Sequence, residues 1–160
     1  MPPAHIALAL LVAVIWGVNF AAMRVGLDSF PPLLLTALRF LLPALPILWL
    51  AMPAVSWPLF LAIAATWFVA QFALLFSAMA AGLAPGIAAI LDHTQAPFTI
   101  LFALAIGERP TRQQALGVAV ALIGLLLVGL SIGGDVTASG FALAVGAGAC
   151  WGLGNVLYKR

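Results

Sequence analysis

Residues Gln114–Ser131, QALGVAVALIGLLLVGLS, run without a single formal charge. A helix rises about 1.5 Å per residue and a bilayer's hydrocarbon core is about 30 Å thick, so roughly 20 apolar residues span it. Within this run Leu122–Leu130 shows no alternation of apolar and polar side chains, which excludes the two-residue period of a membrane barrel strand. Backbone N–H and C=O groups in lipid must be satisfied inside the segment, and only a helix does that here. The pattern recurs along the chain, whose 160 residues are 66% hydrophobic and 6% charged. The expected fold is an all-α integral membrane protein with six transmembrane helices.

Working outward from Gln114–Ser131 (span 5), the apolar runs and breakers place span 1 at Ala4–Met23 and span 2 at Pro32–Met52, parted by Asp28, Ser29, Phe30 and Pro31. Span 3 covers Trp57–Ala81 after a break at Pro53–Ser56, and span 4 covers Ala84–Ile106 after a tight turn around Gly82 and Pro85. Span 6 is Ser139–Tyr158, with Gly133, Gly134 and Asp135 as the loop before it. The spans leave no room for a soluble catalytic or nucleic-acid-binding domain, so the partner implied is the lipid bilayer and no nucleic acid is expected. The lone Cys150 excludes an intramolecular disulfide. The first span has no basic segment before it and is long for a secretory signal core, so it reads as a retained helix. Arg109, Arg112, Lys159 and Arg160 fall at one set of span ends and Arg24 at the other, which places the N-terminus and the Arg160 end in the cytoplasm.

The start and the end of the chain echo each other. Ile15-Trp16-Gly17-Val18-Asn19 is answered by Cys150-Trp151-Gly152-Leu153 and Asn155, with one extra residue before the second Asn, and Arg24 is answered by Lys159. Trp-Gly pairs near a membrane interface also arise by chance. Taken as a repeat, the copies start five spans apart, and an odd number reverses orientation, which is how inverted repeats of secondary transporters are built. The chain then divides into a five-helix unit, residues 4–132, and the first helix of a second, inverted unit, residues 137–160.

Polar side chains at mid-depth are the candidates for chemistry. Span 4 carries Asp92, His93, Thr94 and Gln95 near its middle, with Pro97 just beyond. An ionised Asp at a helix centre costs about 2.5–3.5 kcal/mol on insertion scales, so such groups turn toward a bundle interior or a wet cavity. On a regular helix Asp92 and Gln95 share one face, and Pro97 leaves the His93 carbonyl without its usual donor. The patch reads either as a substrate or proton site or as a polar cluster tying span 4 to its neighbours. In span 1 Trp16, Asn19 and Met23 share a face, and Asn19 offers its amide to a solute or to a neighbouring helix. Gln71 in span 3 has the same two readings, while the Thr36 hydroxyl is expected to bond its own backbone. Arg39 lies about 10 Å inside span 2. It either receives a substrate carboxylate in a two-pronged contact or reaches out to the headgroups.

Other features read structurally. Glu108 with Arg109 and Arg112 forms a cytoplasmic turn with ion pairs among its charges. Gly140, Ala144, Gly148 and Gly152 form a stripe of small residues that permits close helix approach, and Gly117 with Ala121 does so in span 5, where dimerisation is a further outcome. Trp49 and Trp57 fit interface anchors, and Pro43 with Pro46 should bend span 2. His5 and His93 lie at different depths, and there is no Cys pair and no Gly-rich phosphate loop, so no metal or cofactor is expected. No nucleophile stands with a base, so an enzyme is not expected either.

The stretches WGVNFAAMRVGLDSFPPLLLTALRF (from Trp16), QFALLFSAMAAGLAPG (from Gln71), TQAPFTILFALAIGERP (from Thr94) and GVAVALIGLLLVG (from Gly117), followed by ACWGLGN (from Ala149), together resemble the EamA-type transporters of the drug/metabolite transporter superfamily. Within it they are most similar to the cysteine and O-acetylserine exporters. The resemblance implies ten helices in two five-helix inverted repeats, exporting small metabolites through a central cavity with coupling to an ion gradient. Asn19, Arg39, Gln71 and Gln95 match positions of the family pattern. Asp92-His93 departs from it, standing where the exporters carry an apolar-Gln pair. The chain also stops where the family's second half begins, which fits a truncated product, a fragment, or a unit of which two copies must assemble. The expected activity is export of small amino-acid-type metabolites across the cell inner membrane, along a path formed by Trp16, Asn19, Arg39, Gln71, Asp92, His93 and Gln95. The rival expectation is a non-transporting membrane subunit or inactive remnant.

Overall fold

The computed structural model describes residues 2–50, 55–130 and 136–160. Every regular element among them is a helix. Helices α1 (Pro3–Leu27), α2 (Pro32–Ala44), α3 (Trp57–Ala64) and α5 (Pro85–Asp92) each hold a proline in their first turn, where its missing N–H would have had no intrahelical partner. The remaining helices are α4 (Gln71–Ala80), α6 (Gln95–Ala105), α7 (Arg112–Leu130) and α8 (Ala138–Tyr158). The expected end of span 2 at Met52, the Pro53 side of the following break, Ser131, residue 132, and the Gly133-Gly134-Asp135 loop lie outside the described residues.

Three spans depart from simple rods. Span 2 was expected as one helix to Met52, but α2 stops at Ala44 and continues as a 3-10 turn, Leu45–Leu48. Pro46 cannot donate to the Leu42 carbonyl, which takes the Leu45 N–H instead, so the helix tightens to three-residue closure. Span 3 is a single run in which α3 and α4 are joined by a π-helical segment, Ala65–Ala70, beside which the Thr66 hydroxyl donates to Ala62 O at 2.8 Å. Span 4 breaks between α5 and α6. Pro97 does leave His93 O without its usual donor, but Ala96 N–H fills the position at 3.1 Å, and Thr94 N–H bonds Leu91 O at 3.0 Å. The freed acceptor anticipated at His93 is therefore occupied, and the tightened turn swings Asp92 and Gln95 onto different partners.

The connections follow from local chemistry. Gly82 adopts φ of 93°, with Leu83 N–H on Ala78 O and Gly82 N–H on Met79 O, both at 3.1 Å, a glycine-terminated helix end that turns α4 into α5. Thr111 and Gln114 cap α7 reciprocally, Thr111 N–H on the Gln114 amide oxygen at 2.8 Å and Gln114 N–H on the Thr111 hydroxyl at 3.2 Å. Thr137 accepts from Gly140 N–H at 3.1 Å to start α8, and its hydroxyl donates to Ala81 O at 2.9 Å, tying that end of α8 to the α4 terminus. At the opposite end Lys159 pairs with Glu108 at 3.1 Å. The ion pair expected within the Glu108–Arg112 turn is thus made across the fold, because α8 brings an ammonium to the turn.

α8 is the centre of the bundle, packed mainly on α4 and α6. Its small-residue stripe has the predicted effect: Gly140, Ala144, Gly148 and Gly152 are all buried. A Cβ at Gly148 would overlap the Thr94 hydroxyl, and one at Gly152 would lie 2.7 Å from Phe98 Cβ and 2.8 Å from Thr99 N. At the rim, α7 has no buried residue, and a Cβ on its Gly117 would meet nothing within 4 Å. Five of the spans are long and apolar enough to cross a membrane, and α2 is a shorter apolar helix beside them. Their outer faces are leucine, isoleucine and valine exposed around the bundle, as a lipid solvent requires.

Candidate functional site

Where α1, α2, α4, α5 and α8 converge they leave a cavity of about 230 Å³. Each helix delivers a polar or aromatic side chain that its sequence placed about halfway along the span. Arg39 of α2 enters between α1 and α4. Its Nη1 donates to Asn19 Oδ1 at 2.8 Å, and its guanidinium carbon stands 4.7 Å from the centre of the Phe72 ring and 5.9 Å from that of Phe40. Of the two readings open for Arg39, the inward one describes its placement: the head is held by an amide and an aromatic face, not by headgroups. Cation–π contacts are worth about 0.5–1 kcal/mol at exposed sites and about 2 kcal/mol when desolvated, and the half-buried Arg39 falls between these.

Also on the cavity lining, Gln71 Nε2 donates to Asp92 Oδ1 over a long 3.4 Å. Both residues are buried, Gln71 3% and Asp92 8% exposed, and among the described residues the α4 amide is the side-chain hydrogen-bond partner of the α5 carboxylate. Trp16 of α1 presents an edge-on contact to His93 at 6.0 Å between ring centres and another to Trp151 at 5.9 Å. The two tryptophans of the internal echo therefore meet at the cavity wall. Among the described residues the ion pairs are Arg24–Asp28 and Lys159–Glu108, both outside the cavity. Arg39 and Asp92 thus face one space without pairing with each other.

Of the seven anticipated path residues, Trp16, Asn19, Arg39, Gln71, Asp92 and His93 line this cavity. Gln95 does not join them. Asn155 of α8 donates to Gln95 Oε1 at 2.7 Å and to Thr99 Oγ1 at 3.0 Å, while the Thr99 hydroxyl donates to Gln95 O at 2.7 Å. The two asparagines of the internal echo thus serve different neighbours, Asn19 the cavity and Asn155 the α6–α8 seam. Thr36 bonds its own backbone at Pro32 O, 2.9 Å, as expected.

Sequence reasoning missed Trp67, Phe68 and Phe72. The available signal was their spacing: Trp67 precedes Gln71 by four residues, as Phe68 precedes Phe72. Trp67 and Phe68 also line a second, mostly apolar groove of about 980 Å³ that reaches Ser56, Tyr158 and Arg160. The two rings therefore belong to the walls of both the cavity and the groove. They stand on the π-helical segment, packed so closely that a Cβ at Gly154 would lie 3.0 Å from Trp67 Cβ. Such single π turns recur at functional positions.

The fold and this interior together define a polytopic membrane protein whose helices leave between them a mostly apolar, partly open cavity carrying a few polar and charged side chains. Residues 4–130 match the EamA-like transporter family, and the chain belongs to that family. It is 44% identical over 157 residues to a Salmonella typhimurium protein named "Probable amino-acid metabolite efflux pump", covering 96% of this chain and 52% of that protein. An Escherichia coli K12 protein of the same name is 43% identical over 157 residues, covering 96% and 52%. A Bacillus subtilis protein named as an uncharacterized transporter is 27% identical over 172 residues, covering 100% and 55%. The chain spans about half the length of these curated relatives. No solved structure matches it.

Proposed function

We propose that the chain forms the solute-binding part of an inner-membrane exporter of small amino-acid-type metabolites, in the size range of cysteine and O-acetylserine. The observation that carries this reading is that one cavity holds both Arg39 and Asp92, two charges that lipid would otherwise penalise heavily. The names of the relatives at 44% and 43% identity support the solute class. A volume of about 230 Å³ falls below the roughly 300–1,000 Å³ of pockets for drug-sized ligands, which fits a small metabolite.

Trp16, Asn19, Arg39, Gln71, Asp92 and His93 line the path, and Gln95 holds α6 to α8 behind it. Both chain ends face the cytoplasm. The basic residues at one set of span ends support this, as does the Glu108–Lys159 pair that gathers the α6–α7 turn and the α8 end on one side. Alternating access requires a partner for this half, supplied by a further half-length unit or by a second copy. The groove beyond Trp67 and Phe68 is then the cytoplasmic approach to the cavity.

The test is efflux of labelled cysteine and O-acetylserine from proteoliposomes containing the complete gene product. Flux above empty vesicles, reduced at least about tenfold by Arg39→Gln, a change of about 1.4 kcal/mol in solute interaction, is the expected result. No flux of either solute refutes the proposal and leaves a packed, non-transporting subunit.

A further inference from the structure

Building on that exporter reading, we infer that the cavity is a zwitterion site in which Arg39 takes the carboxylate of an amino acid and Asp92, beside Gln71, takes its ammonium. The inference begins with two opposite charges that share one cavity and do not close on each other. They come from different helices, α2 and α5, and each is held from behind by a neutral group. A guanidinium has five N–H donors in a planar fork. Asn19 engages Nη1, and the Phe72 face lies against the guanidinium, so among the described residues the other donors have no hydrogen-bond acceptor and can take a carboxylate. Among the described residues Asp92 accepts from Gln71 at one oxygen over 3.4 Å, a long bond that leaves most of the carboxylate's acceptor capacity for an ammonium with three donors.

Energetics favour a solute that brings both charges at once. In a weakly polarisable interior an unpaired ion is strongly penalised, and a bound group answering only one of two fixed charges leaves the other uncompensated. Amino-acid esters lack the anion and N-acyl amino acids lack the cation. Each should therefore be rejected by about 10- to 100-fold, the scale of a lost hydrogen bond to a charged group.

The experiment is competition against uptake of labelled cysteine into proteoliposomes holding the complete gene product. The competitors are unlabelled serine, serine methyl ester and N-acetylserine. In the parent, serine is expected to compete about 10- to 100-fold better than either derivative. Arg39→Gln should abolish the preference over the ester while keeping that over N-acetylserine, and Asp92→Asn should do the reverse. Arg39→Lys and Asp92→Glu, which keep the charges, should retain the parental order. If both neutral variants weaken all three competitors in parallel, the two residues act only through packing and the zwitterion assignment falls while the exporter reading stands. Where a neutral variant fails to fold, the parent decides: equal competition by serine and its ester overturns the inference. Absence of labelled-cysteine uptake in the parent overturns the exporter reading first, and this inference with it.

Discussion

Replacing Gly152 by Ala tests whether the α6–α8 seam, on which the cavity's geometry depends, is as tight as its atoms indicate. The added Cβ would lie 2.7 Å from Phe98 Cβ, 2.8 Å from Thr99 N and 3.0 Å from Gln95 O. Two of these three atoms are backbone, so no side-chain rotation relieves them. Reaching an ordinary contact of 3.4 Å requires the helices to part by about 0.7 Å. Overpacking of this kind costs about 1–3 kcal/mol. The same displacement stretches the Asn155 bonds to Gln95 and Thr99, at 2.7 and 3.0 Å one turn away. Interhelical hydrogen bonds in membranes average about 0.6 kcal/mol each, so a total loss of about 2–4 kcal/mol is expected. Reversible unfolding in sodium dodecyl sulfate followed by far-ultraviolet circular dichroism measures it. Gly146→Ala is the control, because its Cβ would meet only Leu74 Cδ1 at an unstrained 3.5 Å. Equal stability of the two variants would refute the close-approach argument.

Asn155→Ala removes both donated bonds to α6, so a stability loss of about 1–2 kcal/mol is expected in the same unfolding assay, with serine's preference over its ester and N-acetyl derivative unchanged. Asn19→Ala releases Arg39 Nη1 from its acceptor, and competition by serine should weaken by about tenfold while N-acetylserine, which keeps the carboxylate, weakens by the same factor. Trp16→Ala deletes two edge-on ring contacts, each worth about 0.5–1.5 kcal/mol, and a shift in the emission of the remaining tryptophans should accompany the lost stability. Lys159→Met breaks a pair whose side chains are 54% and 49% exposed, so unfolding should change by less than about 1 kcal/mol.

Apolar run length was sufficient to identify the spans, and mid-depth polar residues were sufficient to nominate six side chains that line the cavity. The small-residue stripe on α8 foretold the close packing against α6 because glycine spacing on one helix is a local property. Local rules also failed in identifiable places. The shared face of Asp92 and Gln95 assumed an unbroken helix, and the tightened turn at His93–Thr94 removed that premise. The stop at Ala44 in α2 had its cause, Pro46, in plain view, but the end of an apolar run marks lipid depth and not backbone closure.

The sequence by itself determined membrane residence, the number of spans and the position of each polar group along its span, because bilayer thickness is a one-dimensional constraint that run length answers directly. Tertiary structure alone decided which polar groups meet. Gln71 reaches Asp92 across 21 residues of chain and Asn155 reaches Gln95 across 60. Such pairings depend on how helices rotate and approach, and that follows from the summed packing of every contact along them. The charges of Arg39 and Asp92 were legible as residues; their facing one cavity unpaired was a consequence of the fold.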